Sequence, residues 1–387
     1  MKRLKFYQLK NNVTIVLNEE WDSSNEYEGI PLLTTQKRIN TYGAIGISDK
    51  NIKLFNIKEI DLDTTYDYLF LEGYDNSLNN NTQNNLYTNL KVKEVIIAHA
   101  GEYATSNELK LWNNFLDKNN ISYEEKKVII PIDEYKEDTY GWKLFKYPFS
   151  ALRFFCSTNN KTFVGSEYTI DDCIGVGFSN EQKPKVFNCL INAVRRGRFH
   201  LAEQLLQSSC LEYGTCYWQE MVYNDKKIPS YGKHWIDSKY KVAADRFKFQ
   251  PSHSKNAYIE LQCESLIEQN STFVTEKASK AFMGLQFPFF LAQPNYYQYF
   301  RDWGFDMFDD IFDHSYDKLP ITTEKEMYHK VDMLISQLER ACSLDLHKLY
   351  VDNRVRLLHN QQRLYELVHV NNNRDTALFN FIFEKNL

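Results

Sequence analysis

Residues 94–131 read EVIIAHAGEYATSNELKLWNNFLDKNNISYEEKKVIIP, and this stretch decides the fold class. Val95 to Ala98 is a short apolar run, the pattern of a buried strand. Thr105 and Glu108 have the T-x-x-E spacing of a capping box, in which each side chain satisfies an amide left free at a helix start. Leu109, Trp112 and Leu116 then recur on one helical face, and Asn119-Asn120 ends the helix. Val128 to Ile130 is the next apolar run. A strand, a helix and a strand in succession predict two parallel neighbours, because parallel strands need a long crossover and a helix supplies it.

Working outward, Val13–Leu17 and Tyr66–Leu71 read as further strands of the same sheet. Residues 135–183 show no strong period and hold the passage between domains. A second α/β pattern opens at Lys185. KVFNCLI (Lys185–Ile191) is a strand, NAVRRGR a basic turn, and FHLAEQLLQ an amphipathic helix. Tyr258–Cys263 is a strand, Thr275–Gly284 a helix, and Phe287–Leu291 a buried strand interrupted by Pro288. Thr323 and Glu326 form a second capping box, opening a long helix with Met327, Leu334, Leu338 and Ala341 inward. A last helix covers His347–Val370. The fold class is therefore α/β: one half over residues 1–165, a second over 166–345, and a helical tail over 346–387 that packs on them. Ligands of such sheets bind beyond the carboxyl ends of the strands, and with two halves the cleft between them is the expected place.

Composition narrows the function classes. The 387 residues are 43% hydrophobic and 25% charged, which is globular, and a net charge of −5 excludes a protein held to nucleic acid by bulk charge. The longest apolar runs fall short of a bilayer span, and the start lacks a signal-peptide core, so the expected location is cytoplasmic. Seven scattered cysteines without C-x-x-C read as free thiols rather than a disulfide framework or a zinc site.

Two constellations carry chemistry. Arg195, Arg196 and Arg198 lie where a strand turns into a helix, and free helix-start amides beside guanidinium groups suit a phosphate. The bland alternative is a solvated basic turn. Thr275-Glu276-Lys277-Ala278-Ser279-Lys280 opens another helix after a strand. Glu276 can accept hydrogen bonds from two sugar hydroxyls while Lys277 and Lys280 face phosphates; in isolation this is a common exposed helix start. Tyr296, in NYYQYF, follows a loop at a strand end, where it can border a nucleotide base or pack in the core. Asp306, Asp309 and Asp310 lie among aromatics and read as a capped turn, and no metal site is expected. His99 and Glu102 directly follow the strand Val95–Ala98, the right place for a general base; loop hydrogen bonding and solvation are the alternatives. His200 and His234 are further candidates.

The ordered series Thr275-Glu276-Lys277, Pro288-Phe289, Gly304-Phe305 and Ser315-Tyr316-Asp317 resembles the donor-binding half of alpha-1,3-fucosyltransferases and, more fully, phage-encoded glycosyltransferase-like proteins. The likeness runs from Lys185 to Asp317. It implies a GT-B-like fold, two Rossmann-type domains facing across a cleft, with the acceptor on the first and a nucleotide-diphosphate-sugar on the second. It also implies that Glu276 contacts the nucleotide ribose, and that Lys277 with Arg195 or Arg196 contacts the diphosphate. Phe199 stands where the phage pattern has another Arg, which leaves Arg198 the odd member. Cations at the diphosphate would stabilise the charge that develops on the leaving group, and the resemblance implies transfer without a tightly bound cofactor or metal. For the acceptor, the likeness points to a hydroxylated base in double-stranded DNA, with glycan, lipid or protein as alternatives. A non-catalytic nucleotide-binding or host-interaction protein on the same fold is the second reading, and a structural protein with a coincidental motif series the third.

Overall fold

A computed structural model describes residues 9, 11–17, 21–22, 26–27, 30–31, 34–35, 52–72, 84–98, 106–130, 138–146, 177–191, 194–232, 251–264, 267, 272, 274–369 and 381–383. The chain divides into two compact units, Met1–Phe154 with Asn371–Leu387, and Phe155–Val370. The expected boundary at 165/166 lies outside the described residues.

The first unit is built on six strands: β1 (Val13–Leu17), β2 (Ile52–Asn56), β3 (Thr65–Glu72), β4 (Lys91–Ala98), β5 (Glu125–Ile130) and β6 (Lys143–Lys146), with α1 (Ser106–Lys118) between β4 and β5. Their order is β6-β5-β4-β3-β1-β2, and every pair is parallel. Burial on both faces explains why Val95-Ile96-Ile97 and Leu69-Phe70-Leu71 are unbroken apolar runs. α1 buries Leu109, Trp112, Phe115 and Leu116. It ends where the Asn119 side chain donates to the Phe115 carbonyl (2.9 Å) and Asn120 takes a left-handed φ of 49°. Thr105, the expected cap, lies outside the described residues. A charged pair is buried in this unit: Lys127 on β5 lies 2.8 Å from Glu94 of β4 and 2.8 Å from the Phe381 carbonyl. Phe381 thus contributes to the first unit's polar interior.

The second unit holds a four-stranded parallel sheet, β8-β7-β11-β12, made of β7 (Lys185–Ile191), β8 (Gly214–Trp218), β11 (Ala257–Cys263) and β12 (Phe287–Leu291). A short antiparallel ribbon pairs β9 (Met221–Tyr223) with β10 (Lys226–Ile228). Helices α2 (Arg196–Gln207), α3 (Pro251–Asn256), α4 (Glu276–Met283), α5 (Tyr296–Asp302) and α6 (Glu324–Cys342) connect and cover these strands. The Thr323–Glu326 capping box forms as the spacing predicts, and Met327, Leu334, Leu338 and Ala341 are buried along α6.

Two expectations need correction. Pro288 does not interrupt its strand. β12 lies at the sheet's edge, where a missing amide costs no ladder bond on the open side. Tyr297 closes that side: its hydroxyl accepts from the Phe290 amide (2.7 Å), donates to the Pro288 carbonyl (3.2 Å), and meets the Tyr316 hydroxyl at 2.7 Å. The last helix is two, α7 (Leu346–Asp352) and α8 (Arg354–His369). The break falls at Asn353, whose side chain takes the Leu349 carbonyl (2.8 Å) as its backbone leaves the helix.

Candidate functional site

β7 and β11 are hydrogen-bonded parallel neighbours, so their carboxyl ends share one edge of the sheet. A helix leaves each end. α2 begins at Arg196, with Arg195 as an extended N-cap that provides no side-chain acceptor, so the first amides of α2 receive no cap from it. Phe199, Leu201, Ala202 and Leu205 are buried and fix α2 to the unit. Phe199, which departs from the phage pattern, is therefore a core residue. Arg195 and Arg196 are half-buried, and Arg196 Nη2 donates to the Ile321 carbonyl (2.7 Å) just ahead of α6. Arg198 is buried and directs Nη2 toward the Cys263 carbonyl (3.5 Å), at the end of β11.

The second helix start is held by a residue that the motif reading passed over. Glu264 directly follows β11 and is 2% exposed. Its carboxylate accepts from the Thr275 hydroxyl (2.6 Å), the Thr275 amide (3.2 Å) and the Tyr296 hydroxyl (2.5 Å). Thr275 is the N-cap of α4. Its oxygen accepts from the Lys277 amide (3.3 Å) and from Lys277 Nζ (3.1 Å). Asp317 secures the next element by the same means, its two oxygens accepting from the Tyr296 and Tyr297 amides (2.9 and 3.0 Å) at the start of α5. Asp317 of the S-Y-D motif thus orients Tyr296, Tyr296 and Thr275 orient Glu264, and Thr275 holds Lys277.

Hydrogen bonds bring the cations to one strand end: Arg198 reaches the Cys263 carbonyl, and Lys277 the Thr275 hydroxyl that Glu264 holds. Burial pushes the Cys263 thiol up to about 11, while Arg198 and Lys277 both pull it the other way, so cations from α2 and α4 act on one strand end. On β11, Glu260 and Gln262 share one face, and Glu264 follows the strand directly. Burial raises Glu260 to about 7 against the pull of Lys280, and its carboxylate accepts from Gln262 and, at 3.5 Å, from Asn188 of β7. A buried polar row therefore runs along β11 and ends at Glu264, which anchors the α4 start.

The structure brings Arg198, Thr275, Lys277 and Tyr296 to this corner, with Arg195 and Arg196 at the start of α2 and Lys280 in the last turn of α4. Glu276 is the first residue of α4; its side chain is outside the described ones. Tyr296 is fully buried, its ring packed against Phe290 and Phe300, which makes it a support of the site rather than a stacking surface. His200 is buried and engaged by Glu324 (2.6 Å), with the Tyr328 ring 3.9 Å from its own. His99, Glu102, Asn192 and His234 lie outside the described residues. Asp306 and Asp310 are paired with Arg356, and Asp309 with Arg301. Among the described residues no group of three or more His, Cys, Asp or Glu side chains could hold a metal ion. No described helix is long and apolar enough to cross a membrane. One signal for Glu264 was in the sequence: in YIELQCE, polar residues alternate with apolar ones in a strand whose context is buried, which marks a polar row needing internal partners.

No protein-family model matches the chain, and no curated protein matches it. Solved structures of alpha1,3-fucosyltransferase are among those that align with it. A crystal structure of alpha1,3-fucosyltransferase with GDP-fucose is 11% identical with a TM-score of 0.40, over 91% of this chain and 82% of that one. One of alpha1,3-fucosyltransferase is 13% identical with a TM-score of 0.38, over 93% and 82%. One of alpha1,3-fucosyltransferase with GDP is 12% identical with a TM-score of 0.41, over 97% and 91%.

Proposed function

We propose that the second unit binds a nucleotide-diphosphate-sugar at the carboxyl edge of its sheet and that the protein is a glycosyltransferase acting on a hydroxyl acceptor. The observation that carries this reading is the convergence of Arg198 and Lys277, from two different helix starts, on the end of β11. Cations and helix-start amides on one corner suit a diphosphate, whose charge grows as the glycosidic bond to the leaving group breaks. Arg195, Arg196 and Arg198 are assigned to the diphosphate with Lys277 and Lys280, and Glu276 to the ribose hydroxyls. Thr275 and Tyr296 hold these groups in place through Glu264. His99 and Glu102 remain the proposed general base on the first unit. The ordered motif series supports the phage-type likeness, and on that likeness alone a hydroxylated base in duplex DNA is the acceptor to try first.

The test is a panel of nucleotide-sugars and nucleoside diphosphates. At one hundred times its dissociation constant a true ligand stabilises the protein by about 2.7 kcal/mol, a plain rise in melting temperature. The enzyme reading expects one donor to be hydrolysed slowly, with release of the nucleoside diphosphate. Glu276→Ala should weaken donor binding about tenfold or more with the melting temperature of the free protein unchanged. A protein that binds nucleotide but turns over no donor would instead be the non-catalytic relative. Absence of any nucleotide-induced shift would remove both readings. For the acceptor, duplex DNA binding that weakens steeply with salt is expected, and none at low salt would exclude DNA.

A further inference from the structure

His200 lies one helical turn after Arg196, so the two residues share a face of α2. It is 2% exposed. Its Nε2 donates to Glu324 at the start of α6 (2.6 Å), since an ionised carboxylate can only accept. The Tyr223 hydroxyl of β9 donates to the other oxygen of Glu324 (2.7 Å). His200 Nδ1 is buried with no hydrogen-bond partner among the described residues, and Glu203 Oε2 faces it at 3.8 Å. Glu203 accepts from the Tyr328 hydroxyl of α6 (2.7 Å) and from Lys226 of β10 (3.2 Å), and Lys226 also donates to that hydroxyl (3.1 Å). The Tyr328 ring lies 3.9 Å from the imidazole. Arg196 grips the same stretch of chain, donating to the Ile321 carbonyl (2.7 Å) just ahead of Glu324. Between the two grips stands Gly197, where a Cβ would lie 2.1 Å from Ile267 Cδ1 and 3.4 Å from Met327 Sδ of α6. The first turn of α2 is thus drawn tightly onto the entry to α6.

We infer that His200 is a positioning residue for the donor site. By clasping Glu324 it holds the start of α2 against residues 321–324 and so fixes where Arg196 presents its guanidinium. This role rests on the reading that the α2 start faces the diphosphate. A histidine that only stabilised the unit would act alike on every ligand. A histidine that acts through Arg196 affects the diphosphate and leaves the nucleoside portion alone, because Glu276 and Lys277 stand on a different helix.

The experiment titrates the full-length chain with ADP, CDP, GDP and UDP, each beside its own nucleoside. For the diphosphate that binds, His200→Ala should weaken affinity about tenfold, the size of one lost charge-assisted hydrogen bond. Affinity for the matching nucleoside should not change. His200→Gln, which keeps a donor within reach of Glu324, should restore most of the loss. Glu324 is partly exposed, so Glu324→Ala offers a milder variant and should reproduce the effect. Arg196→Ala combined with His200→Ala should weaken binding no further than Arg196→Ala alone, because the second residue acts through the first. Without any ligand, hydrogen exchange in His200→Ala should quicken over residues 196–199 and 324–328 and stay unchanged across Ala257–Cys263. Equal losses for diphosphate and nucleoside, additive effects of the two substitutions, or unchanged exchange over residues 196–199 would each overturn the role. If the unsubstituted chain binds none of these ligands, the donor reading itself fails and the role falls with it; binding that is intact but indifferent to His200 overturns the role alone.

Discussion

Glu264 is the residue on which the candidate site turns, and its surroundings explain how. A buried carboxylate is tolerated only when its oxygens are satisfied, and Thr275 and Tyr296 supply three donors. Glu264→Ala should cost about 2–4 kcal/mol in urea unfolding, since it leaves buried hydroxyls and an amide without their acceptor. Tyr296→Phe should cost about 1 kcal/mol. If Glu264 only stabilised the unit, nucleotide affinity measured well below the melting temperature would be the same in both variants; the positioning role predicts a loss that follows the displacement of Lys277. A second prediction concerns pH. Burial raises Glu260 to about 7 and lowers Lys183 to about 7. Between its ordinary range and 7, Glu260 holds a proton in the folded state that the unfolded chain has released, so its contribution falls as pH rises. Between 7 and its ordinary range, Lys183 is neutral when folded and charged when unfolded, so its contribution rises with pH. Each slope reaches about 1.4 kcal/mol per pH unit at its steepest. Stability against pH should therefore dip near neutrality; Glu260→Gln should flatten the acid side and Lys183→Met the alkaline side.

At the scale of elements, α4 shows how a common helix start becomes a site. T-E-K is only a cap by its sequence. What distinguishes it is that the cap hydroxyl is itself anchored, donating to Glu264 while accepting from Lys277. Thr275→Ala should therefore lose about 1–2 kcal/mol of stability, the usual cost of a cap, and should weaken nucleotide binding although Thr275 carries no charge. Thr275→Ser, which keeps the hydroxyl, should restore both, and isothermal titration would read the affinities. The α2 start differs. Arg195→Ala with Arg196→Ala should lower affinity and turnover far more than stability, because half-buried surface cations contribute little to folding. The strands β7, β11 and β12, the helices α2, α4 and α6, and the Thr323–Glu326 capping box of α6 were legible from apolar period and cap spacing. The split of the last helix was not, since Asn353 is an ordinary helix residue until its side chain finds the Leu349 carbonyl. Nor was the continuity of β12 across Pro288, which depends on lying at an edge with Tyr297 outside it.

At the scale of the whole molecule, the chain's end belongs to its beginning. Asn371–Leu387 group with the first unit, and the Phe381 carbonyl accepts from Lys127 inside it. Removing residues 371–387 would leave Lys127 and Glu94 buried with fewer partners, a change that costs about 3–5 kcal/mol when a buried pair is broken outright. Hydrogen exchange should then show protection lost across Glu125–Ile130 and kept across Ala257–Cys263. Equal loss in both strands would mean that the segment supports more than the first unit.

The amino-acid sequence by itself determined the α/β class and the strand–helix alternation, and marked two separate basic helix starts, one at Arg195–Arg198 and one at Thr275–Lys280. These follow from local period, capping and turn chemistry, which act over a few residues. Tertiary structure alone decided that Glu264 anchors Thr275 and Tyr296, that Arg198 and Lys277 meet at one strand end, and that Lys127 takes a partner 254 residues away. The physical reason is that a buried polar group must find partners wherever the fold brings them, and no local pattern specifies which distant segment will supply them.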